Sequence, residues 1–344
     1  MAWSFVEHIT NYMSRSRLGN QKHPTLWPSD ATAIIDNDDG SQSIIGKCRR
    51  SSFFRYLTDL YYFDPEKYSH YEHLVTQLIN EAEPIDPYMR WIWKQGDLYE
   101  EYCLQTAKDS GVYVADQTQV YVPKWNISGK IDIVTINPET GKYKIVECKS
   151  VYGFGANVVL GSPAQRREKK MGTPKDSYLM QLAIYQWWYA NKNDNFEDAL
   201  ILCGARDTGK FAEFGLTVEF NEETQKNHIY WYPHFPYPGD KVDSKITIES
   251  ITSNYKYIQD CVDSGTIPSN DFFIQYSDER IKELFEQGKL NKSETARVER
   301  RLSQIENKAK KVNKQIEKGD WQCNYCKYKR ICFDQNQQLK NVSY

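Results

Sequence analysis

The 344-residue sequence lacks the features that would assign it to a membrane or a secreted protein. No stretch approaches the roughly 18 consecutive apolar residues of a membrane-spanning helix, so we expect no membrane segment. The N-terminal segment interrupts its apolar residues with Glu7, His8 and Arg15, and it therefore lacks the apolar core of a secretory signal. We expect a cytoplasmic protein, encoded by a bacterium, an archaeon or a virus, that is not secreted.

The sequence also lacks an excess of positive charge. The 44 Lys and Arg residues stand against 46 Asp and Glu, a formal net charge of −2, so no field over the whole molecule attracts nucleic acid. Any surface that binds phosphate must therefore be local. The hydrophobic fraction of 40% and the charged fraction of 26% are ordinary for a globular protein and exclude a largely disordered chain.

Hydrophobic periodicity predicts a mixture of helices and strands. Helices are predicted at 48–63, 88–110, 174–190 and 245–263, and strands between 113 and 149 and at 198–204 and 212–220. We expect an α/β fold with one central mixed sheet flanked by helices. Its predicted parts are a loosely structured N-terminal arm (1–45), a core with an N-terminal helical part (46–270), a charged insertion of one or two long helices (271–319) and a cysteine-rich segment (320–344).

The most informative segment is a predicted hairpin at 126–149. Residues 137–142 form a turn sequence, and a four-residue loop within them places Asp132 opposite Glu147. In this register one face of the hairpin is apolar and the other carries both acids and Lys149. Two facing carboxylates repel each other unless a cation lies between them, and oxygen ligands favour Mg²⁺ or Mn²⁺.

A solvated strand face, on which Lys149 simply neutralises Glu147, is the alternative interpretation of the hairpin. Polar residues in the neighbouring helices favour the metal instead. Glu100 lies in the preceding helix, and Gln181 and Tyr185 lie at i and i+4 on one face of the following helix.

The order of these residues resembles that of a known nuclease family. Gly96-xxx-Glu100, Gly129-Lys130-Ile131-Asp132, Glu147-Cys148-Lys149 and Gln181-xxx-Tyr185 resemble the successive motifs of the RecB-like branch of the PD-(D/E)xK nuclease superfamily. Trp321-Gln322-Cys323-xx-Cys326-xxxxx-Cys332, together with Cys48, resembles its iron-sulfur subgroup, which includes the CRISPR-adaptation exonuclease and the AddB-type nucleases. The resemblance covers about residues 48–332. Two features depart from it: many members carry His where this chain has Glu100, and the gap from Lys149 to Gln181 is long.

The resemblance implies a restriction-endonuclease-like core and the metal-dependent hydrolysis of DNA. Asp132 and Glu147 would hold Mg²⁺ or Mn²⁺, with Glu100 helping directly or through water and the backbone carbonyl of Cys148 adding a ligand. Lys149 would orient the attacking water and help to deprotonate it.

The resemblance also implies supporting residues, a substrate and partners. Gln181 and Tyr185 would orient the site or contact the nucleic-acid backbone. The expected activity is that of an exonuclease on DNA single strands or duplex ends, working with proteins of recombination, repair, replication or CRISPR adaptation. Two other functions stay open: a non-catalytic factor that binds DNA ends on the same fold, and a structure-specific endonuclease.

The C-terminal cysteines predict a metal centre. Cys323, Cys326 and Cys332 supply three thiolates within ten residues, and neither a zinc site nor an iron-sulfur cluster is complete with three cysteines alone. Cys48 is the candidate for the fourth ligand. The spacing leaves a [4Fe-4S] cluster and a Zn²⁺ site open, and the resemblance favours the cluster. The remaining cysteines lie in apolar surroundings and are expected to be buried thiols: Cys103, Cys148, Cys203 and Cys261.

A run of basic residues follows the predicted catalytic strand and is a candidate for DNA binding. This run, the basic loop, consists of Arg166, Arg167, Lys169 and Lys170, with Lys175 beyond it. The alternative is a solvated charged surface. The position directly after the strand favours contact with phosphates near the metal.

Overall fold

The computed structural model describes residues 24–332 except 83–85, 191, 194 and 310. The chain divides into two compact units. In the described part, unit 1 contains residues 24–75 and 86–269, and unit 2 contains residues 76–82 and 270–332. No helix among these residues is long and apolar enough to cross a membrane.

The secondary structure combines ten described α-helices with nine strands. The helices are α1 (Arg49–Phe63), α2 (Glu72–Glu81), α3 (Pro87–Asp109), α4 (Gly153–Leu160), α5 (Pro163–Arg167), α6 (Asp176–Ala190), α7 (Ile248–Ser264), α8 (Asp278–Glu286), α9 (Lys292–Glu306) and α10 (Trp321–Asn324). The strands are β1 (Thr32–Asp36), β2 (Gln42–Gly46), β3 (Tyr113–Val122), β4 (Ile127–Ile136), β5 (Tyr143–Val151), β6 (Ala199–Ala205), β7 (Phe211–Asn221), β8 (Lys226–Phe235) and β9 (Val242–Thr247).

Unit 1 is built on a seven-stranded mixed sheet in the order β3-β4-β5-β6-β7-β8-β9. The neighbours β5 and β6 are parallel, and the other neighbouring pairs are antiparallel. Because parallel neighbours need a long crossover, the chain leaves the sheet after β5 and returns to it through α4, α5 and α6. The prediction of an α/β fold with a mixed sheet flanked by helices is therefore confirmed.

Helices cover both faces of β5. Val146 and Cys148 pack with Cys103 of α3 in one apolar cluster. Glu147, which points to the opposite face because side chains alternate along a strand, is hydrogen-bonded to Gln181 of α6. The acid-bearing face predicted for the hairpin is thus covered by a helix instead of facing solvent.

The structure differs from the loosely structured arm predicted for residues 1–45. Residues 1–23 lie outside the described part, but β1 and β2 form an antiparallel hairpin, and Leu26 and Ala33 are fully buried. The polar stretch from Asp36 to Gly40, which suggested irregular structure, is the turn of this hairpin, and Gly40 adopts the left-handed conformation that such a turn requires. The two short apolar strands pair with each other even though the turn that joins them is polar.

Unit 2 differs from the one or two long solvated helices predicted before the C-terminal cysteines. It contains two shorter helices, α8 of nine residues and α9 of fifteen. Gly288, with φ of +65°, follows α8, and the side chain of Asn291 caps the start of α9. These helices contribute to a small core instead of being solvated all round, and its buried members are Ile281, Leu284, Leu290, Val298 and Ile316.

Candidate active site

The two predicted acids meet where β4 and β5 diverge. The backbone pairs of these strands run from Ile133–Val146 to Ile136–Tyr143, which confirms the register predicted from the turn. At the next position the side chain of Asp132 reaches across, and its Oδ2 accepts a hydrogen bond from the backbone N–H of Cys148 at 2.8 Å. The carboxylate of Asp132 is thereby fixed beside Glu147.

The two carboxylate oxygens of Glu147 have different surroundings. Its side chain is 1% exposed, and Oε1 accepts hydrogen bonds from Lys149 Nζ at 2.5 Å and Gln181 Nε2 at 2.7 Å. Lys149 Nζ also donates to Gln181 Oε1 at 3.3 Å. Glu147 Oε2 is buried and has no hydrogen-bond partner among the described atoms. A buried carboxylate oxygen without a partner is costly, so this atom is a fitting ligand for a cation.

A third acid approaches from the helix over β3 and β4. Glu100 of α3 accepts a hydrogen bond from Gln117 Nε2 at 2.5 Å. Gln117 lies across from Asp132 by the register of β3 and β4, and its φ of +43° is left-handed, which costs a non-glycine residue about 1–2 kcal/mol. Strain of this kind persists where the surroundings enforce it, often at functional sites. Gln117 was not predictable from the sequence, because no residue type indicates a left-handed Gln within a strand.

The carboxylates raise one another's pKa values. Burial and then the charge of Glu147 raise the pKa of Asp132 to about 7. Burial and then the charge of Asp132 raise the pKa of Glu100 to about 6, and burial raises the pKa of Glu147. The acids therefore share a negative potential that Lys149 neutralises only in part, and a divalent cation there would be strongly favoured.

Lys149 keeps its proton in this environment. Burial acts to lower its pKa, but the charges of Glu147 and Asp132 outweigh burial and raise the pKa above the ordinary value. An ammonium group donates hydrogen bonds and does not accept a proton. In this arrangement Lys149 donates hydrogen bonds to Glu147 and Gln181. The roles predicted for it, orienting the attacking water and helping to deprotonate that water, stay predictions.

The donor set fits a hard divalent cation without forming a complete ligand cage. Nowhere in the described ranges do three or more His, Cys, Asp or Glu side chains form a group arranged to hold a metal ion. Two carboxylates from adjacent strands, one with an oxygen that has no hydrogen-bond partner within the described ranges, are the kind of partial set that Mg²⁺ accepts while keeping waters. The ligand roles predicted for Glu100 and for the Cys148 carbonyl stay predictions.

Tyr185 supports the site from within the core. Its side chain is buried, and its hydroxyl would lie 2.5 Å from a Cβ placed on Gly129 of β4, with Pro28 Cγ at 2.8 Å. Glycine is required at that position because the ring and the strand approach each other closely. Since the phenol is buried, its place in the structure favours orienting the site over contacting a nucleic-acid backbone.

The basic loop uses part of its hydrogen-bonding capacity locally. Arg166 Nη1 donates to the carbonyl of Gly161, and Arg167 Nε donates to the carbonyl of Pro163 at 3.3 Å. Lys170 forms an ion pair with Glu168 at 2.9 Å, in which both side chains are more than half exposed. The loop is therefore a solvent-facing surface between β5 and α6, and its DNA-binding role stays a prediction.

The predicted metal-binding cysteines are half-buried, and they occur in both units. Cys48 directly precedes α1 in unit 1. Cys323, Cys326 and Cys332 belong to unit 2, where the N–H of Cys326 donates to the carbonyl of Cys323 at 3.3 Å and closes a tight turn. The prediction that the remaining cysteines are buried is confirmed for Cys103, Cys148, Cys203 and Cys261.

The chain was compared with protein-family models and with curated proteins. Neither a family model nor a curated protein matches the chain. The likeness to the PD-(D/E)xK superfamily thus remains a resemblance carried by the motifs, and function has to be inferred from the residues of this chain.

Proposed function

We propose that the chain is a metal-dependent deoxyribonuclease of the PD-(D/E)xK type that acts as an exonuclease on DNA ends or single strands. The observation that supports this most directly is the environment of Glu147. One carboxylate oxygen is held by Lys149 and Gln181, and the other is buried beside Asp132 without a hydrogen-bond partner in the part of the chain that the structure describes. A solvated strand face would show neither the burial nor the shared hydrogen bonds.

Asp132 and Glu147 would hold Mg²⁺ or Mn²⁺, with the backbone carbonyl of Cys148 and Glu100 completing the set. When bound, such an ion neutralises the acids, polarises a phosphate and lowers the pKa of a coordinated water. The ammonium group of Lys149, held in place by Glu147 and Gln181, would donate to the nucleophilic water and to the charge that develops on the phosphate.

We further propose that the cysteines hold a [4Fe-4S] cluster, with a Zn²⁺ site as the rival. The donor chemistry supports a thiolate centre, because Cys323 and Cys326 flank a single turn and Cys332 follows within the same segment. Cys48 remains the proposed fourth ligand. Since thiolate centres couple metal binding to folding, the primary role of this centre would be structural.

The deciding experiment uses the purified full chain with Mg²⁺ or Mn²⁺ on end-labelled single-stranded, linear duplex and closed circular DNA. We expect linear substrates to be shortened from their ends and circles to stay intact. Glu147→Gln and Lys149→Ala should each lower cleavage by at least about a hundredfold while DNA binding stays measurable. Glu223→Gln, which changes an exposed acid in the turn between β7 and β8, is the matched control.

The other outcomes separate the remaining functions. Nicking of the closed circle would replace the exonuclease with an endonuclease. DNA binding without cleavage in either metal would identify a non-catalytic end-binding factor. If Glu147→Gln and Lys149→Ala both cleaved at the wild-type rate, the proposed site would be wrong.

A further inference from the structure

The residues that follow β5 and β6 lie side by side at one edge of the candidate active site. Val151 and Ala205 are partners in the parallel ladder, and the N–H of Arg206 donates to the carbonyl of Val151 at 3.0 Å. Arg206 therefore sits next to Tyr152, which lies three residues beyond Lys149. At about 3.3 Å per residue, this position is roughly 10 Å along the strand from the proposed catalytic lysine.

Arg206 is held in place but retains donor capacity. Its Nη1 donates to Gln95 Oε1 of α3, and its guanidinium carbon lies 5.6 Å from the ring centroid of Tyr152. Its Nε is buried and has no hydrogen-bond partner in the described part of the chain. The neighbouring carboxylate of Asp207 accepts from the N–H of Gly153 at 3.1 Å instead. A guanidinium group fixed in this way matches the geometry of a phosphate.

Exposed aromatic rings occur in the two segments that Arg206 contacts, α3 and the residues that follow β5. Tyr152 is 60% exposed and Phe154 is 83% exposed. Trp91, 48% exposed, precedes Gln95 by four residues in α3 and so shares its helix face. A phenylalanine that is mostly exposed contributes little to folding, and several exposed rings together mark a binding surface.

Positive charge continues from this surface toward the catalytic lysine. Lys175 Nζ lies 5.4 Å from the ring centroid of Tyr178, and Lys149 Nζ lies 5.4 Å from the same centroid. Lys175 also lies 3.6 Å from the position that a Cβ on Gly155 would occupy, beside Phe154. Cations thus flank the ring of Tyr178 between Lys175 and Lys149, and alternating rings and cations are the arrangement used to hold single strands.

We propose that Trp91, Tyr152, Phe154 and Arg206, the end-binding surface, hold the unpaired end of a DNA strand. Bases stack on the three rings and Arg206 binds a phosphate. The occupant is a single strand, because a base inside a duplex presents no free face to a ring. This inference rests on the proposed nuclease function and names the part of the DNA that the enzyme recognises.

The test measures the binding of fluorescein-labelled DNA in EDTA, where no cleavage occurs. The probes are a single strand, a blunt duplex and a duplex with an unpaired tail. Phe154→Ala should weaken binding of the single strand and the tailed duplex by about 5-fold to about 100-fold and leave the blunt duplex unchanged. Phe154→Trp should retain the affinity. Phe220→Ala, at a ring that is 57% exposed on β7, is the control.

Arg206 is tested through the salt dependence of binding. Arg206→Gln should lower the slope of log affinity against log salt by about 0.7, because one phosphate contact to a single strand is lost. Phe154→Ala should leave that slope unchanged. Unchanged single-strand affinity in both variants, with metal-dependent cleavage intact, would overturn the end-binding surface alone. Failure of the wild-type chain to bind any of the probes would overturn both the surface and the proposed function.

Discussion

Replacing Asp132 by Asn should stabilise the metal-free protein near neutral pH. The pKa of Asp132 is raised to about 7 by burial and by Glu147, against an ordinary value of about 3.9. Between these values the folded state binds the proton that the unfolded state releases, so the free energy of unfolding falls as pH rises from about 4 to about 7. The rise in pKa lowers the free energy of unfolding by at most about 4 kcal/mol once the pH reaches about 7. Asn removes this loss and can still accept from the N–H of Cys148.

The assay compares the thermal unfolding of the wild type and Asp132→Asn in EDTA from pH 4 to pH 8. We expect equal midpoints near pH 4 and a higher midpoint for the variant near pH 7.5. The expected gap is at most about 16 °C, since 1 kcal/mol moves the midpoint by about 2–4 °C in a unit of this size. Low pH also destabilises the protein through other ionisable groups, but this effect is the same in both proteins and cancels when their midpoints are compared.

Adding Mg²⁺ or Mn²⁺ should narrow the difference between the two melting midpoints at pH 7.5. An ion at a hundred times its dissociation constant stabilises the wild type by about 2.7 kcal/mol, and Asp132→Asn should gain much less because it lacks a ligand charge. Parallel pH profiles for the two proteins in EDTA would refute the repulsion between the acids, and equal metal stabilisation would refute the role of Asp132 as a ligand.

Three further predictions concern the support of the site, the basic loop and the cysteine centre. Gly129→Ala should lower the free energy of unfolding by about 1–3 kcal/mol in denaturant, because its Cβ meets Tyr185. Gly96→Ala, in an open helical position, is the control and should raise that free energy by up to about 1 kcal/mol. Equal effects would show that the close approach of Tyr185 is not the reason for glycine at position 129. Replacing the four residues of the basic loop by Ala should flatten the salt dependence of DNA binding without changing the melting temperature, and an unchanged slope would leave the loop a solvated surface. In protein purified without oxygen, Cys326→Ala and Cys48→Ala should each lose the iron and sulfide that the wild type contains. One zinc and no iron in the wild type would favour a zinc site. A Cys48→Ala variant that keeps its full metal content would remove Cys48 from the ligand set.

Local sequence signals were sufficient to place the acids. The turn at 137–142 fixes the register of β4 and β5, and register follows from turn geometry. Asp132 and Glu147 were therefore predictable as neighbours. The spacing of Gln181 and Tyr185 placed both on one helix face, and the structure brings Gln181 to Glu147.

Contacts made by the crossover and by α3 were not predictable in the same way. Gln117 has a left-handed backbone conformation and its side chain is hydrogen-bonded to Glu100 of a separate helix, and no local sequence pattern predicts either feature. Arg206 follows β6, and its place beside Tyr152 depends on β5 and β6 being parallel neighbours. Side chains at the carboxyl ends of such strands meet at one edge of the sheet, so a prediction of that pairing would have revealed Arg206.

The parallel pairing of β5 with β6 has a consequence for the order in which the protein folds. The hairpin of β4 and β5 closes through a short turn, and such hairpins form within about 1–10 μs. Pairing β5 with β6 requires the whole crossover to close first, which is slower because of the entropy of the longer loop. Asp132 and Glu147 are thus expected to meet before Gln181 arrives, with the N–H of Cys148 and the side chain of Lys149, both on β5, as early partners. If the two acids are already close together in the folding transition state, divalent ions should increase the folding rate.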